Sequence, residues 1–273
     1  MALFSKNSVQ ESLLSSDFYL RKCGNRRITN FDEFETAVYA QRDAGLPARI
    51  YLDGVVGEKI FSAWGNRVPR NPVEVYIHQG DRIPSSNLMK KMHELRFMLY
   101  SVNWLGDTKI CKPIPVGIPT KSFQGFHGKL IYESALNAVA GKDRKKEHQI
   151  YVNFDITTNI IQRKLALENL VRHADSFVPN QRLSVEKNLT NIQHSKYVIS
   201  PPGAGADCYR TWEALYLGAI PVVLRKFWPF NHLDLPVKVV DSYSSFLQEI
   251  KDEEVYPQTV SVDYILSLPD KFL

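Results

Sequence analysis

Cysteine is scarce in this chain, and the few present are scattered. Cys23, Cys111 and Cys208 are an odd number, far apart, with no C-x-x-C pair. That pattern argues against a disulfide framework and for free thiols in a reducing compartment. Long apolar runs are missing as well: none approaches the roughly 20 residues needed to span a bilayer. The opening stretch, MALFSKNSVQESLL, has neither a basic start nor an unbroken apolar centre, so it reads as no signal peptide. A cytoplasmic location is expected on these grounds, the host cytosol if the chain is viral.

Several chemical signatures are absent too. There is no G-x-x-x-x-G-K-S/T, so no P-loop. GAGADC lacks the third glycine of a dinucleotide fingerprint and lies late in the chain, which argues against NAD. No H-E-x-x-H and no paired cysteines offer a zinc site, so no metal is expected. Repeats and low-complexity segments are lacking. A net charge of +5 suits an anionic ligand. It falls short of the basic face of a nucleic-acid binder, and aromatic–basic interleaving is missing, so no nucleic-acid partner is expected.

What is present centres on Lys196 to Leu224, KYVISPPGAGADCYRTWEALYLGAIPVVL. An apolar strand, Tyr197 to Ser200, is broken by Pro201, Pro202, Gly203 and Gly205, with Asp207 or a neighbour placed to cap a helix. Cys208 to Leu217 reads as that helix, ended by Gly218, and Ile220 to Leu224 as a second strand. Strand, Gly-rich turn, helix and strand make one βαβ unit, whose tight loop over a helix N-terminus favours anions. Arg210 and Glu213 are three apart and share a helix face. The guanidinium could clamp a diphosphate and the carboxylate accept ribose hydroxyls. The competing reading is an intrahelical surface ion pair of little worth.

SPPGAGADCYRTWEALYLGAIPVV resembles the nucleotide-sugar segment of exostosin-like glycosyltransferases: a Pro/Gly loop, R-x-x-E-A, then G-x-I-P-V. The resemblance is specific from about Tyr151 to Leu224 and general before that, although IPVGIP, Ile114 to Pro119, is similar to a segment late in the first domain of such enzymes. It implies an α/β fold of GT-B type, two Rossmann-like domains facing across a cleft. It further implies that Arg210 holds the donor diphosphate and Glu213 the donor ribose. The donor would be a UDP-sugar, UDP-xylose among the candidates, with no tightly bound cofactor, and the acceptor a glycan or glycoprotein. D-x-D, the metal-chelating signature of the other large glycosyltransferase fold, is absent. A metal-independent transfer is therefore expected, the leaving diphosphate stabilised by positive side chains and a helix dipole, and the resemblance is read as implying an inverting one.

The remaining chain reads as alternating strands and helices, which argues for parallel sheets with helices on both faces. Helices are expected at 31–44, 86–96, 159–173, 184–194 and 243–251. Strands are expected at 49–53, 73–78, 97–102, 151–154 and 237–240, with an irregular one, broken by two prolines, within 108–117. Gly54 and Gly57 read as closing the 49–53 strand. GKDRKKEH reads as a solvated loop. The domains are expected at 1–124, on the acceptor side, and 125–273, binding the nucleotide sugar.

Two further sets of residues bear on chemistry. In YVNFDITTNIIQR, Arg163 falls in the first turns of a helix, and by resemblance it is a candidate to reach the diphosphate. Asn153, Thr157, Thr158 and Asn159 read as turn and cap residues. HQGD, His78 to Asp81, ends a strand, where parallel sheets bind ligands. Asp81 suits the base that takes the acceptor proton, with His78 as orienting partner or alternate base and Asp53 as competitor. An aspartate serving its turn and a histidine capping its strand are the competing readings. Trp64, Trp104, Trp212 and Trp228 could stack on a sugar or simply be buried. A non-catalytic nucleotide-sugar or polyanion binding protein is the alternative function.

Overall fold

A computed structural model of the chain describes residues 13–40, 47–119, 146–250 and 267–272. It is an α/β protein with two parallel five-stranded sheets and, among the described residues, eight α-helices. Two compact units are present: Leu14–Val116, and Gly117–Leu273, which also takes in Leu13. The boundary expected at 124/125 and most of the GKDRKKEH cluster lie outside the described residues.

The first unit contains α1 (Ser16–Lys22), β1 (Arg27–Ile28), α2 (Phe31–Ala40), β2 (Ala48–Leu52) and α3 (Gly54–Ala63). It continues with β3 (Val73–Ile77), α4 (Ser86–Glu94), β4 (Phe97–Ser101) and β5 (Cys111–Pro113). The sheet order is sequential, β1-β2-β3-β4-β5, with every pair parallel. Right-handed crossovers in sequential order carry all connecting helices to one face. The core agrees: Phe34 and Val38 of α2, Ile60 and Phe61 of α3, and Met89 and Met92 of α4 pack on Ile50, Leu52, Val75 and Ile77. Side chains alternate along a strand, so the other face carries tyrosines. Tyr76 and Tyr100 are register partners and stack at 4.6 Å, and α1 sets Tyr19 at 5.3 Å from the His78 ring.

Helix α3 is the main element that the sequence reading lacks. Gly54 and Gly57 look like breakers, but their role is close approach. A Cβ on Gly54 would fall 1.8 Å from the Arg82 carbonyl oxygen, and one on Gly57 would fall 3.2 Å from Pro84. Glycine lets residues 82–84 cross the helix. Asp53 caps it, accepting the Val55 N–H at 2.9 Å. The irregular 108–117 strand shrinks to Cys111–Pro113.

The second unit contains β6 (His148–Tyr151), α5 (Ile160–Leu170), β7 (Ser176–Phe177), α6 (Val185–Gln193) and β8 (Ser195–Ile199). It continues with α7 (Tyr209–Tyr216), β9 (Ile220–Leu224), β10 (Lys238–Val240) and α8 (Tyr243–Glu249). The sheet order is β10-β9-β8-β6-β7, all parallel. In this unit's own count that is 2-1-3-4-5, a doubly wound sheet whose direction of winding reverses between β6 and β8. Ala166 and Leu170 of α5 share one core with Tyr243 and Phe246 of α8, and α6 and α7 contact each other. Lys146 ties the latter pair at their C-terminal ends, donating to the Gln193 and Gly218 carbonyls at 2.9 and 2.8 Å. Burial draws its amine down to about 8. A cation there also complements both helix dipoles.

Candidate functional site

The reversal between β6 and β8 is where a doubly wound sheet leaves a crevice beyond its strand ends. Two loops border it. Val152 to Asp155 and a single 3-10 turn, Ile156–Asn159, come after β6; the Pro/Gly loop, 200–208, comes after β8. The strand expected at 151–154 in fact ends at Tyr151, which places Phe154 in the loop, half-buried.

Arg163 and Arg210 meet around Phe154. Their guanidinium carbons lie 5.8 and 5.7 Å from its ring centroid, a cation–π distance for both. Arg163 is 7% exposed and committed to backbone: Nε donates to the Pro202 carbonyl at 3.1 Å and Nη1 to the Asp155 carbonyl at 2.6 Å. Its Nη2 makes no hydrogen bond among the described residues, and a Cβ on Gly203 would sit 3.0 Å from it. Burial first, then the positive charge of Arg210, pulls the Arg163 guanidinium below its ordinary value. Among the described residues neither arginine forms an ion pair. Asp155 acts on Arg163 only from a distance, so the positive charge of the two guanidiniums is not cancelled by an ion pair, an arrangement suited to an anion.

The surrounding polar groups lock both loops. Asn159 accepts the Gln162 N–H with its side-chain oxygen and donates through Nδ2 to the Gly203 carbonyl at 2.9 Å. Asn153, Tyr151 and Asn188 form a triangle of 2.7 to 3.0 Å hydrogen bonds. Cys208, at the N-cap of α7, makes no side-chain cap bond, so that helix points its N-terminus at the loop without a capping side chain. The Tyr243 hydroxyl is fully buried with no partner among the described residues, and Cys208, Arg210 and Arg163 are its charged and polar neighbours. Burial raises its pKa.

The other expected donor-side residues divide between the loop and the core. Glu213 is 5% exposed and forms no ion pair with Arg210, so the surface-pair reading of those two does not describe the structure. Gly205 is buried in the loop. Asp207 does not cap α7. Its two oxygens accept the Trp212 indole N–H at 3.0 and 2.9 Å. Trp64, Trp104, Trp212 and Trp228 are all buried, at 4% exposure or less, which removes them as open sugar platforms.

In the first unit, His78 is 1% exposed with both ring nitrogens engaged by backbone. The Gln79 N–H donates to Nδ1 at 2.8 Å, so Nε2 carries the proton and donates to the Pro115 carbonyl at 3.1 Å. Burial draws its pKa down to about 4. In this arrangement His78 fixes backbone and presents no free nitrogen as a base. Gln79 and Gly80 both have positive φ, 68° and 83°, turning the chain toward Asp53, whose carboxylate lies 3.8 Å from a Cβ built on Gly80. Asp53 caps α3 and pairs with Arg27 at 3.3 Å, whereas Asp81 is exposed and has no partner among the described residues.

Phe154 and Tyr243 carry no signal in the sequence. Phe154 reads as the end of a strand, and Tyr243 lies far from the loop motif. Cys23 and Cys111 are buried free thiols, and Cys208 is partly buried. Burial pushes the Cys23 thiol up to about 12 and raises Cys111 as well, which makes both poor nucleophiles. No helix among the described residues is long and apolar enough to cross a membrane. Compared with protein families and curated proteins, the chain matches no family model and no curated protein.

Proposed function

We propose that the chain is a glycosyltransferase whose second unit binds the diphosphate of a nucleotide sugar, a UDP-sugar, in the β6/β8 crevice. The observation that carries this reading is the pair of guanidiniums, Arg163 and Arg210, held beside Phe154 with no ion pair for either among the described residues; Asp155 is the carboxylate that acts on Arg163 from a distance. The buried Tyr243 hydroxyl and the uncapped start of α7 add donors at the same place. The GT-B arrangement belongs to the proposal, resting on the resemblance of the 200–223 segment. So does a glycan acceptor.

In an inverting transfer the acceptor hydroxyl gives its proton to a carboxylate while its oxygen attacks the anomeric carbon. The bond from that carbon to the diphosphate breaks, and the diphosphate leaves with the added negative charge. Arg163 Nη2 and Arg210 receive that charge, and Glu213 is the candidate for the ribose hydroxyls. Asp81 is favoured over Asp53 as base because its carboxylate holds no structural bond.

Calorimetry with two ligands tests the phosphate assignment. Arg210→Ala should weaken UDP far more than uridine, because a charge-assisted bond to phosphate is worth about 1.5–3 kcal/mol. Glu213→Gln should weaken both alike, since both carry the ribose. Equal losses of the two ligands in Arg210→Ala would remove Arg210 from the phosphate.

A further inference from the structure

The first unit holds a cavity of about 350 Å³ where the chain enters β4 and β5. All strands of that sheet are parallel. Asp53, His78 and Asp81 lie just past the C-terminal strand ends, and none of them lines this cavity. Its size lies at the lower end of the roughly 300–1,000 Å³ of small-molecule sites.

Its walls divide by chemistry. Met98, Tyr100 and Ile110 supply its apolar surface, Phe97 and Leu99 being turned into the core behind them, while His93, Arg96, Lys109 and Lys112 are basic, and no lining residue is acidic. The neighbouring carboxylates are engaged elsewhere. Glu94 lies 4.0 Å from Lys90, Glu74 pairs with Arg49 at 3.0 Å, and Asp107 accepts the Lys109 backbone N–H at 2.8 Å. None of the four basic side chains has an ion pair among the described residues.

Arg96 is also in an unusual place. It comes after the C-cap of α4 with φ 70°, its N–H donating to the His93 carbonyl. That left-handed position is one where glycine is the usual residue, because a side chain there costs energy. An arginine kept in such a conformation over a cationic cavity is a reason to look for a ligand.

We propose that this cavity binds a small organic anion with an apolar body. The body rests on Met98, Tyr100 and Ile110, and the anionic group meets Arg96 and Lys109. The proposal does not depend on the donor-site reading.

Anilinonaphthalene sulfonate, titrated by fluorescence and by amide NMR shifts, is the probe. It should bind with shifts centred on Arg96 to Lys112, and more tightly than either inorganic sulfate or the uncharged phenylnaphthylamine. Arg96→Gly removes the side chain and suits the backbone, so it should melt no lower than the native protein while losing about tenfold or more in sulfonate affinity. Lys109→Ala, on an exposed turn, should lose affinity in the same way and serves as a second variant. Unchanged affinity in both variants would overturn the site. So would equal affinity for the uncharged parent, or amide shifts centred on the Pro/Gly loop.

Discussion

Arg163 and Arg210 show how two like side chains at one sheet edge take different tasks. Arg163 spends Nε and Nη1 on the Pro202 and Asp155 carbonyls and so fixes both loops, leaving Nη2 toward Gly203. Arg210 makes no hydrogen bond to the loops among the described residues, which leaves its donors available to the proposed diphosphate. His78 is a third case, a buried ring used as a backbone clamp, and its pH behaviour has a definite sign. In the folded chain it resists protonation until about pH 4, against an ordinary value of 6.5. Between those values the unfolded chain binds the proton and the folded chain does not, so protons favour unfolding. Stability is full above about 6.5 and falls as pH drops toward 4, by about 3 kcal/mol from this group alone. Urea midpoints measured across that window should decline, and His78→Asn, which keeps an acceptor near the Gln79 N–H, should flatten the decline. Equal slopes in the two proteins would mean that His78 is not the group responsible. Glu33 and Asp155, held down chiefly by hydrogen bonds from Thr29 and Thr157, act below their ordinary values of 4.5 and 3.8 and so in a lower window.

Helix α3 shows where element-scale reading succeeds and where it stops. Most strands and helices are legible because apolar spacing reports which face is buried: β3, β9 and α6 start or end within two residues of expectation. Glycine is the exception. A glycine that lets another segment approach looks in sequence like one that breaks a helix, and only the position of Arg82 and Pro84 separates the two. The strand bounds at 148–154 are obscured for a related reason. The charged approach hides the start of β6, while Asn153 and Phe154 extend its apparent end into the loop. At this scale the two candidate carboxylates can be separated. Asp53 caps α3, so Asp53→Ala should lower stability by about 0.5–2 kcal/mol, whereas Asp53→Asn retains the cap and should cost little. Asp81 caps nothing, so Asp81→Asn should leave the melting temperature unchanged. If Asp81 is the base, the same change should lower turnover by about 10²–10⁴ while donor affinity holds. Normal turnover in Asp81→Asn together with loss in Asp53→Asn would move the base to Asp53.

Across the whole molecule the two sheets differ in a way that composition cannot reveal. Alternating strands and helices in the sequence imply parallel sheets, but not the order of strands within them. The first sheet is sequential and the second reverses between β6 and β8, so among the described strands the second alone has the topological reversal beyond which such sheets collect ligands. The Pro/Gly loop and Arg210 are legible as a motif; their meeting with Arg163 and Phe154 depends on β6 and β8 being neighbours, a long-range fact. That convergence bears on how a leaving diphosphate is stabilised. The sequence has no D-x-D, and among the described residues no three His, Cys, Asp or Glu side chains are grouped to hold a metal ion. In the proposed transfer, the two guanidiniums and the uncapped helix start would take the role that such an ion plays at a leaving diphosphate. Preorganised donors of this kind need no reorganisation as charge develops, and losing one typically costs about 10²–10³ in turnover. Sugar transfer should therefore survive EDTA with little loss, while Arg210→Ala should cut turnover by about that factor even at saturating donor. Activity abolished by chelation and restored by manganese would assign the leaving group to a metal and leave the arginines with binding alone.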